Sequence, residues 1–141
     1  MIFEVENKKV FSSDIGKSFD KNKHSVILLH GSGQSHVVWS LTDQYIADQG
    51  FNVFALDLPG HGNSEGSSLK SIEEMSNWLN KVVKKIGING LTLIGHSQGC
   101  LVSLEYANKF PENIKNLIFI AGSYEIPVNK SLIDLAKSGD L

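Results

Sequence analysis

Gly95-His96-Ser97-Gln98-Gly99 sets a serine between two glycines, each two residues away, in the pattern G-x-S-x-G. A serine hydroxyl becomes a useful nucleophile when a sharp, strained turn presents it and backbone N–H groups await the oxygen that gains charge. The stretch follows the apolar run Leu91-Thr92-Leu93-Ile94 and precedes a helical pattern from Gln98 to Phe110, so Ser97 stands where a strand turns into a helix. There its Oγ would project above the sheet at the positive end of the helix, with the Gln98 N–H aimed at a developing oxyanion. The alternative is a tight turn whose serine merely caps the helix. Two more glycine-rich stretches end strand-like runs: His30-Gly31-Ser32-Gly33, and Asp57-Leu58-Pro59-Gly60-His61-Gly62-Asn63-Ser64. The first can bring a second backbone N–H, that of Ser32, to the same oxygen. Losing one of two such donors costs about 3 to 4 kcal/mol of barrier. Taken alone, it reads as an ordinary strand-to-helix turn.

Turns of this kind need a scaffold that puts them on one edge. The chain supplies it by alternation. Phe3–Glu6 and Val10–Ser12 read as a polar-faced hairpin or a pair of short strands. Ser25–His30 is a β-branched and aliphatic run of the kind buried on both faces of a parallel sheet. His36 to Gln49 reads as a helix with Val38, Leu41, Tyr45 and Ile46 on its inner side, and 51–56 as the next strand. Ser71 to Ile86 is the clearest helix, with Ile72, Met75, Leu79, Val82 and Ile86 at steps of three or four and Gly87 as its stop. Strands at 91–94 and 116–121 flank the helix after Ser97. The class is α/β, a mainly parallel sheet with helices on both faces. In such sheets ligands bind beyond the carboxyl ends of the strands, the edge that all three glycine-rich turns share.

With H-G-x-G, D-x-P-G-H-G-x-S and G-H-S-x-G present in that order, the sequence resembles the N-terminal part of an α/β-hydrolase over nearly its whole length. The resemblance implies Ser97 as nucleophile and the backbone amides of Ser32 and Gln98 as oxyanion donors. His30, Gly31, Gly33 and His96 shape the site. Asp57 to Ser64 matches the family's loop after its fourth strand, which also shapes the site and is not catalytic. The family's remaining partners follow the serine in the order acid, then histidine. After Ser97 there is no histidine: the five are His24, His30, His36, His61 and His96. His61 lies in a loop near the site, and His24 and His36 are expected to face solvent. The family's usual acid would lie beyond Leu141. Some members use a carboxylate after the sixth strand, where Glu125 stands, with a plain surface glutamate as its alternative.

Counting elements leads to the same expectation. The chain is read as one partial domain, with residues 1–123 as the core through the sixth strand. Residues 124–141, with an amphipathic stretch from Leu132 to Lys137, open the cap. The last two strands would be missing and the sixth would be an apolar open edge, a template for self-association. A truncated or split hydrolase of carboxylic esters or related acyl compounds is expected, inactive unless a second chain or segment supplies the acid and the histidine. Two alternatives stand beside it: a non-catalytic remnant or interaction module that binds through its open edge, and a cofactor-free haloperoxidase or perhydrolase on the same fold.

Composition narrows the rest. All 13 basic residues are lysine and the net charge is −2, so the arginine forks that grip phosphate and guanine are missing and nucleic acid is not an expected partner. No P-loop or G-x-G-x-x-G pattern follows a strand, and the histidines are too scattered for a metal site, so neither cofactor nor metal is expected. Cys100 is the only cysteine and is read as a buried thiol. No apolar run reaches membrane-spanning length and the N-terminus lacks a secretory pattern, so a cytoplasmic location is expected.

Overall fold

A computed structural model describes residues 1–13, 15, 18–125 and 127–138. Six strands form one sheet in the order β1-β2-β4-β3-β5-β6: β1 Ile2–Val5, β2 Lys8–Ser13, β3 Ser25–Leu29, β4 Asn52–Leu56, β5 Leu91–His96 and β6 Ile114–Ile120. β1 and β2 make the expected hairpin, closed by Glu6 and Asn7 at φ 52° and 60°, the turn type whose twist suits two-residue loops. β2 meets β4 antiparallel, and from β4 to β6 every pairing is parallel. Their carboxyl ends therefore share one edge, and the three glycine-rich turns leave from it.

Alternate residues of the central strands feed two cores. Ile27, Leu29, Phe54, Leu56, Leu91 and Leu93 face α2 (Ile72–Ile86) and α3 (Gln98–Lys109). Val26, Leu28, Val53, Ala55 and Ile94 face the opposite way, toward Trp39 and Ala47. α2 keeps its predicted bounds for local reasons. Ser71 Oγ accepts the Glu74 N–H at 3.0 Å, Glu74 accepts the Lys70 N–H at 2.8 Å, and Gly87 ends the helix at φ 82°.

The segment from His36 to Gln49 departs from expectation. It is a 3-10 turn, His36–Trp39, followed by the short helix α1, Thr42–Asp48. Val38, Leu41 and Tyr45 point outward, Ile46 packs part-buried against the second core as expected, and the buried face carries Trp39, Asp43 and Ala47 at steps of four. Asp43 is tolerated there because its carboxylate accepts the Ser13 hydroxyl at 2.7 Å. The apolar count along this stretch favoured the wrong face because the one large buried anchor is Trp39.

β6 lies at the sheet edge, with Ile118, Phe119 and Ile120 each more than two-fifths exposed. α4, Lys130–Ser138, covers the predicted amphipathic stretch. Ile126 and residues 139–141 of the expected cap segment lie outside the described residues. Among the described residues, no helix is long and apolar enough to cross a membrane.

Candidate active site

Ser97 sits between β5 and α3 at φ 52°, ψ −116°, a conformation few side-chain-bearing residues adopt. Its N–H donates to the Ile120 carbonyl at 3.0 Å and its own carbonyl accepts the Cys100 N–H at 2.9 Å, so both sides of the turn are tied. The flanking glycines are steric requirements. A Cβ on Gly95 would overlap the Gly99 backbone, and one on Gly99 would overlap the Leu29 carbonyl. The close approach of α3 to the ends of β3 and β5 thus depends on two missing methyl groups. The Ser97 side chain makes no capping hydrogen bond to α3, so the plain capping role is not the one adopted. The first two amides of α3, those of Gln98 and Gly99, have no helical partner, as at any helix start.

The loop after β3 packs against this turn. The point that a Gly31 Cβ would occupy is 3.1 Å from Ser97 Cβ, 3.1 Å from His96 Nδ1 and 2.8 Å from Gln34 Oε1. Gln34 Oε1 accepts both the Gly31 N–H and the His96 Nδ1–H at 3.0 Å, joining loop and elbow through one oxygen. With Gly31 N–H so engaged, the amides of Ser32 and Gly33 are the loop donors without a partner among the described residues. Gly33, at φ 68°, lets the chain turn away. Of the residues singled out in the sequence, Gly31, His96, Ser97 and Gln98 therefore come together with the Ser32–Gly33 amides beside them. Nothing in spacing or composition pointed to Gln34.

His30 is fully buried and serves as a strut. Its Nδ1–H donates to Gly31 O at 2.7 Å and its Nε2 accepts the Leu58 N–H at 3.1 Å, which fixes the neutral tautomer and links the first loop to the second. Burial lowers its pKa from 6.5. On unfolding the ring regains the ordinary value, so the unfolded chain binds more protons as pH falls below about 6.5. His30 is therefore expected to withdraw stability on the acid side of that pH and leave it unchanged above. Urea midpoints measured from pH 7.5 to 5 should fall more steeply in wild type than in His30→Gln.

Asp57 is also fully buried, and it organises the second loop as the family resemblance implied. Its carboxylate accepts the His36 N–H at 2.6 Å, the His36 Nδ1–H at 2.9 Å and the Asn63 N–H at 2.8 Å. A Cβ on Gly62 would overlap the same carboxylate, so that glycine too is steric. His36 is corrected by this contact: it does not face solvent, because a buried carboxylate needs its donors and the ring lies against Phe11 at 4.5 Å. His24 is corrected likewise, half-buried with its Nε2 2.9 Å from Thr92 Oγ1. His61 Nδ1 donates to the Pro59 carbonyl at 3.0 Å, and its ring lies 5.2 Å from that of His30. Glu125 is exposed. Cys100 is buried, its Sγ 3.1 Å from the Gly95 carbonyl. No cluster of three or more metal-ligating side chains occurs among the described residues.

Comparison with known proteins agrees with this geometry. The family profile described as "alpha/beta hydrolase fold" matches residues 24–140. The pimeloyl-[acyl-carrier protein] methyl ester esterase of Citrobacter koseri is 33% identical over 98 residues, spanning 70% of this chain and 36% of that protein. The 2-hydroxy-6-oxononadienedioate/2-hydroxy-6-oxononatrienedioate hydrolase of Escherichia coli K12 is 31% identical over 103 residues, again 70% of this chain and 36% of the relative. A crystal structure from a study of carboxylesterases of Nitrososphaera gargenis superimposes with a TM-score of 0.83 at 22% identity, covering 99% of this chain and 52% of that one. The chain thus spans about a third of the length of the curated relatives it matches (36%) and about half of the esterase structure (52%). The parallel sheet, the turns at its carboxyl edge and the match over residues 24–140 all lead to one assignment: the chain belongs to the α/β-hydrolase family.

Proposed function

We propose that this chain carries the nucleophile-bearing part of a serine hydrolase acting on carboxylic esters or related acyl compounds. The observation that carries the reading is Ser97 at φ 52° with no capping role, against the loop whose Ser32 and Gly33 amides have no partner among the described residues. In this reading Ser97 Oγ gives its proton to the base and attacks an acyl carbonyl, and the amides of Ser32 and Gln98 hold the oxyanion. The carbonyl's bond to the alcohol breaks and the alcohol leaves with that proton; water then cleaves the acyl-serine ester to give the carboxylic acid and free Ser97. The relatives named as an esterase and a hydrolase support the reaction class.

Among the described residues no histidine hydrogen-bonds the Ser97 hydroxyl. His24, His30, His36, His61 and His96 each commit at least one ring nitrogen to a fixed partner. His30 commits both. The base and its orienting acid would then come from a later segment or a second chain, with Glu125, exposed beyond β6, as the candidate acid that the family resemblance offers within this chain. A fluorophosphonate probe tests the proposal. The chain alone should label only slowly, at Ser97 and not in Ser97→Ala. Fast labelling would show that an upstream histidine serves as base. Labelling that survives in Ser97→Ala would remove Ser97 as the nucleophile.

A further inference from the structure

Gly31 is tied through both of its peptide planes, and Gln34 ties each of them. The Gly31 N–H donates to Gln34 Oε1 at 3.0 Å, and the Gly31 carbonyl accepts the Gln34 N–H at 3.2 Å. That carbonyl also accepts the His30 Nδ1–H at 2.7 Å. The Gly31–Ser32 peptide is trans, so its N–H, the Ser32 amide, points opposite to the carbonyl. Whatever fixes the Gly31 carbonyl therefore aims the Ser32 N–H. Ser32 is exposed, so its own surroundings do not hold it in place. The Gln34 side chain also sets the state of its other neighbour. Because the Gly31 N–H can only donate, the amide atom facing it is the oxygen. An amide oxygen only accepts, so His96 Nδ1, 3.0 Å from the same atom, carries a proton.

We propose that Gln34 is a positioning residue of this site, its side-chain oxygen holding the Ser32 amide in register with the Ser97 turn. The proposal rests on Ser97 as the nucleophile and adds what keeps the first oxyanion donor on target. A plain turn after β3 would be closed by the main-chain bond from Gln34 to Gly31 alone. The side chain adds a tie that such a turn does not need, across 62 residues to the one that precedes Ser97. One atom therefore joins the strand end that offers the donor to the strand end that offers the hydroxyl. The two ends are close enough to need it: a Gly31 Cβ would lie 3.1 Å from Ser97 Cβ.

Nuclear magnetic resonance and labelling on the full chain test the tie and its use separately. In wild type, long-range proton–nitrogen spectra should place the His96 proton on Nδ1. The Ser32 amide should show a rigid-backbone order parameter of about 0.85. Gln34→Met keeps the length of the side chain and removes its acceptor. With circular dichroism unchanged, the Ser32 value should fall to about 0.6 in this variant. Gln34→Glu keeps an acceptor for both donors and should restore it. Ser97→Ala should leave it unchanged. Saturation kinetics with the fluorophosphonate probe read the consequence, because oxyanion donors act even where a base is missing. Outright loss of one donor costs about 100- to 1,000-fold in rate, so a donor that wanders should lower the limiting labelling rate of Gln34→Met by about tenfold. The half-saturating probe concentration should stay as in wild type. A Ser32 amide equally rigid in Gln34→Met, a wild-type His96 proton on Nε2 or an unchanged limiting rate in Gln34→Met would each overturn the proposal. A wild type that never labels at Ser97, with Ser32 still loosened in Gln34→Met, would overturn the nucleophile and support the tie.

Discussion

Replacing Asp57 with alanine should cost about 3 to 5 kcal/mol of folding stability, the range for stripping a buried charged group from its partners. Removing the carboxylate leaves the His36 N–H, the His36 ring N–H and the Asn63 N–H without their acceptor. Each such bond to a charged acceptor is worth about 1.5 to 3 kcal/mol, though they do not add. Asn63 lies on the second glycine-rich loop and His36 opens the 3-10 turn after the first, so both loops loosen together. Asp57→Asn should be nearly as damaging, because its amide NH2 must face one of the N–H donors. His36→Ala should cost less, since its backbone N–H keeps Asp57. Urea unfolding with the midpoint and slope compared across the three variants settles the order. A loss below 1 kcal/mol for Asp57→Ala would mean the carboxylate is no strut.

The value of that strut explains why parts of this molecule could be read from sequence and parts could not. Strand–helix alternation depends on periodicity and on stops such as Gly87, which act locally, so β3 to β6, α2 and α3 were legible within a few residues. Ser97 was legible because its constraint is also local: glycines two residues to each side allow a turn that nothing bulkier could enter. The Asp57–His36 contact joins residues 21 apart in sequence, and the Gln34–His96 contact joins residues 62 apart. Neither leaves a periodic trace. A glutamine after a glycine and a histidine before a helix look like surface residues until the sheet brings the turns to one edge. The outward face of α1 was misread for a related reason. Val38, Leu41 and Tyr45 outnumber Trp39 and Ala47, yet one indole outweighs them in what it buries.

Ser97→Gly should make the protein more stable while removing its proposed chemistry. The backbone at φ 52°, ψ −116° is one that a Cβ makes costly, by about 1 to 3 kcal/mol. It is held because the Ser97 N–H is tied to Ile120, its carbonyl to Cys100, and α3 is seated on β3 through Gly99. Glycine enters this region freely, at an entropic cost of about 0.5 to 1 kcal/mol in the unfolded chain. The difference leaves a gain of about 1 kcal/mol, seen as a melting temperature raised by about 3 °C for a domain of this size. Ser97→Ala keeps the Cβ and therefore the strain, so its stability should match wild type while fluorophosphonate labelling disappears. The pair of variants separates two reasons for a serine at this position. If the turn served only to join β5 to α3, a residue that fits it without strain would serve better, and Ser97→Gly would improve stability with no functional loss. A strained serine carries its cost only where the position of Oγ matters, so a stability gain accompanied by complete loss of labelling is the signature of a nucleophile.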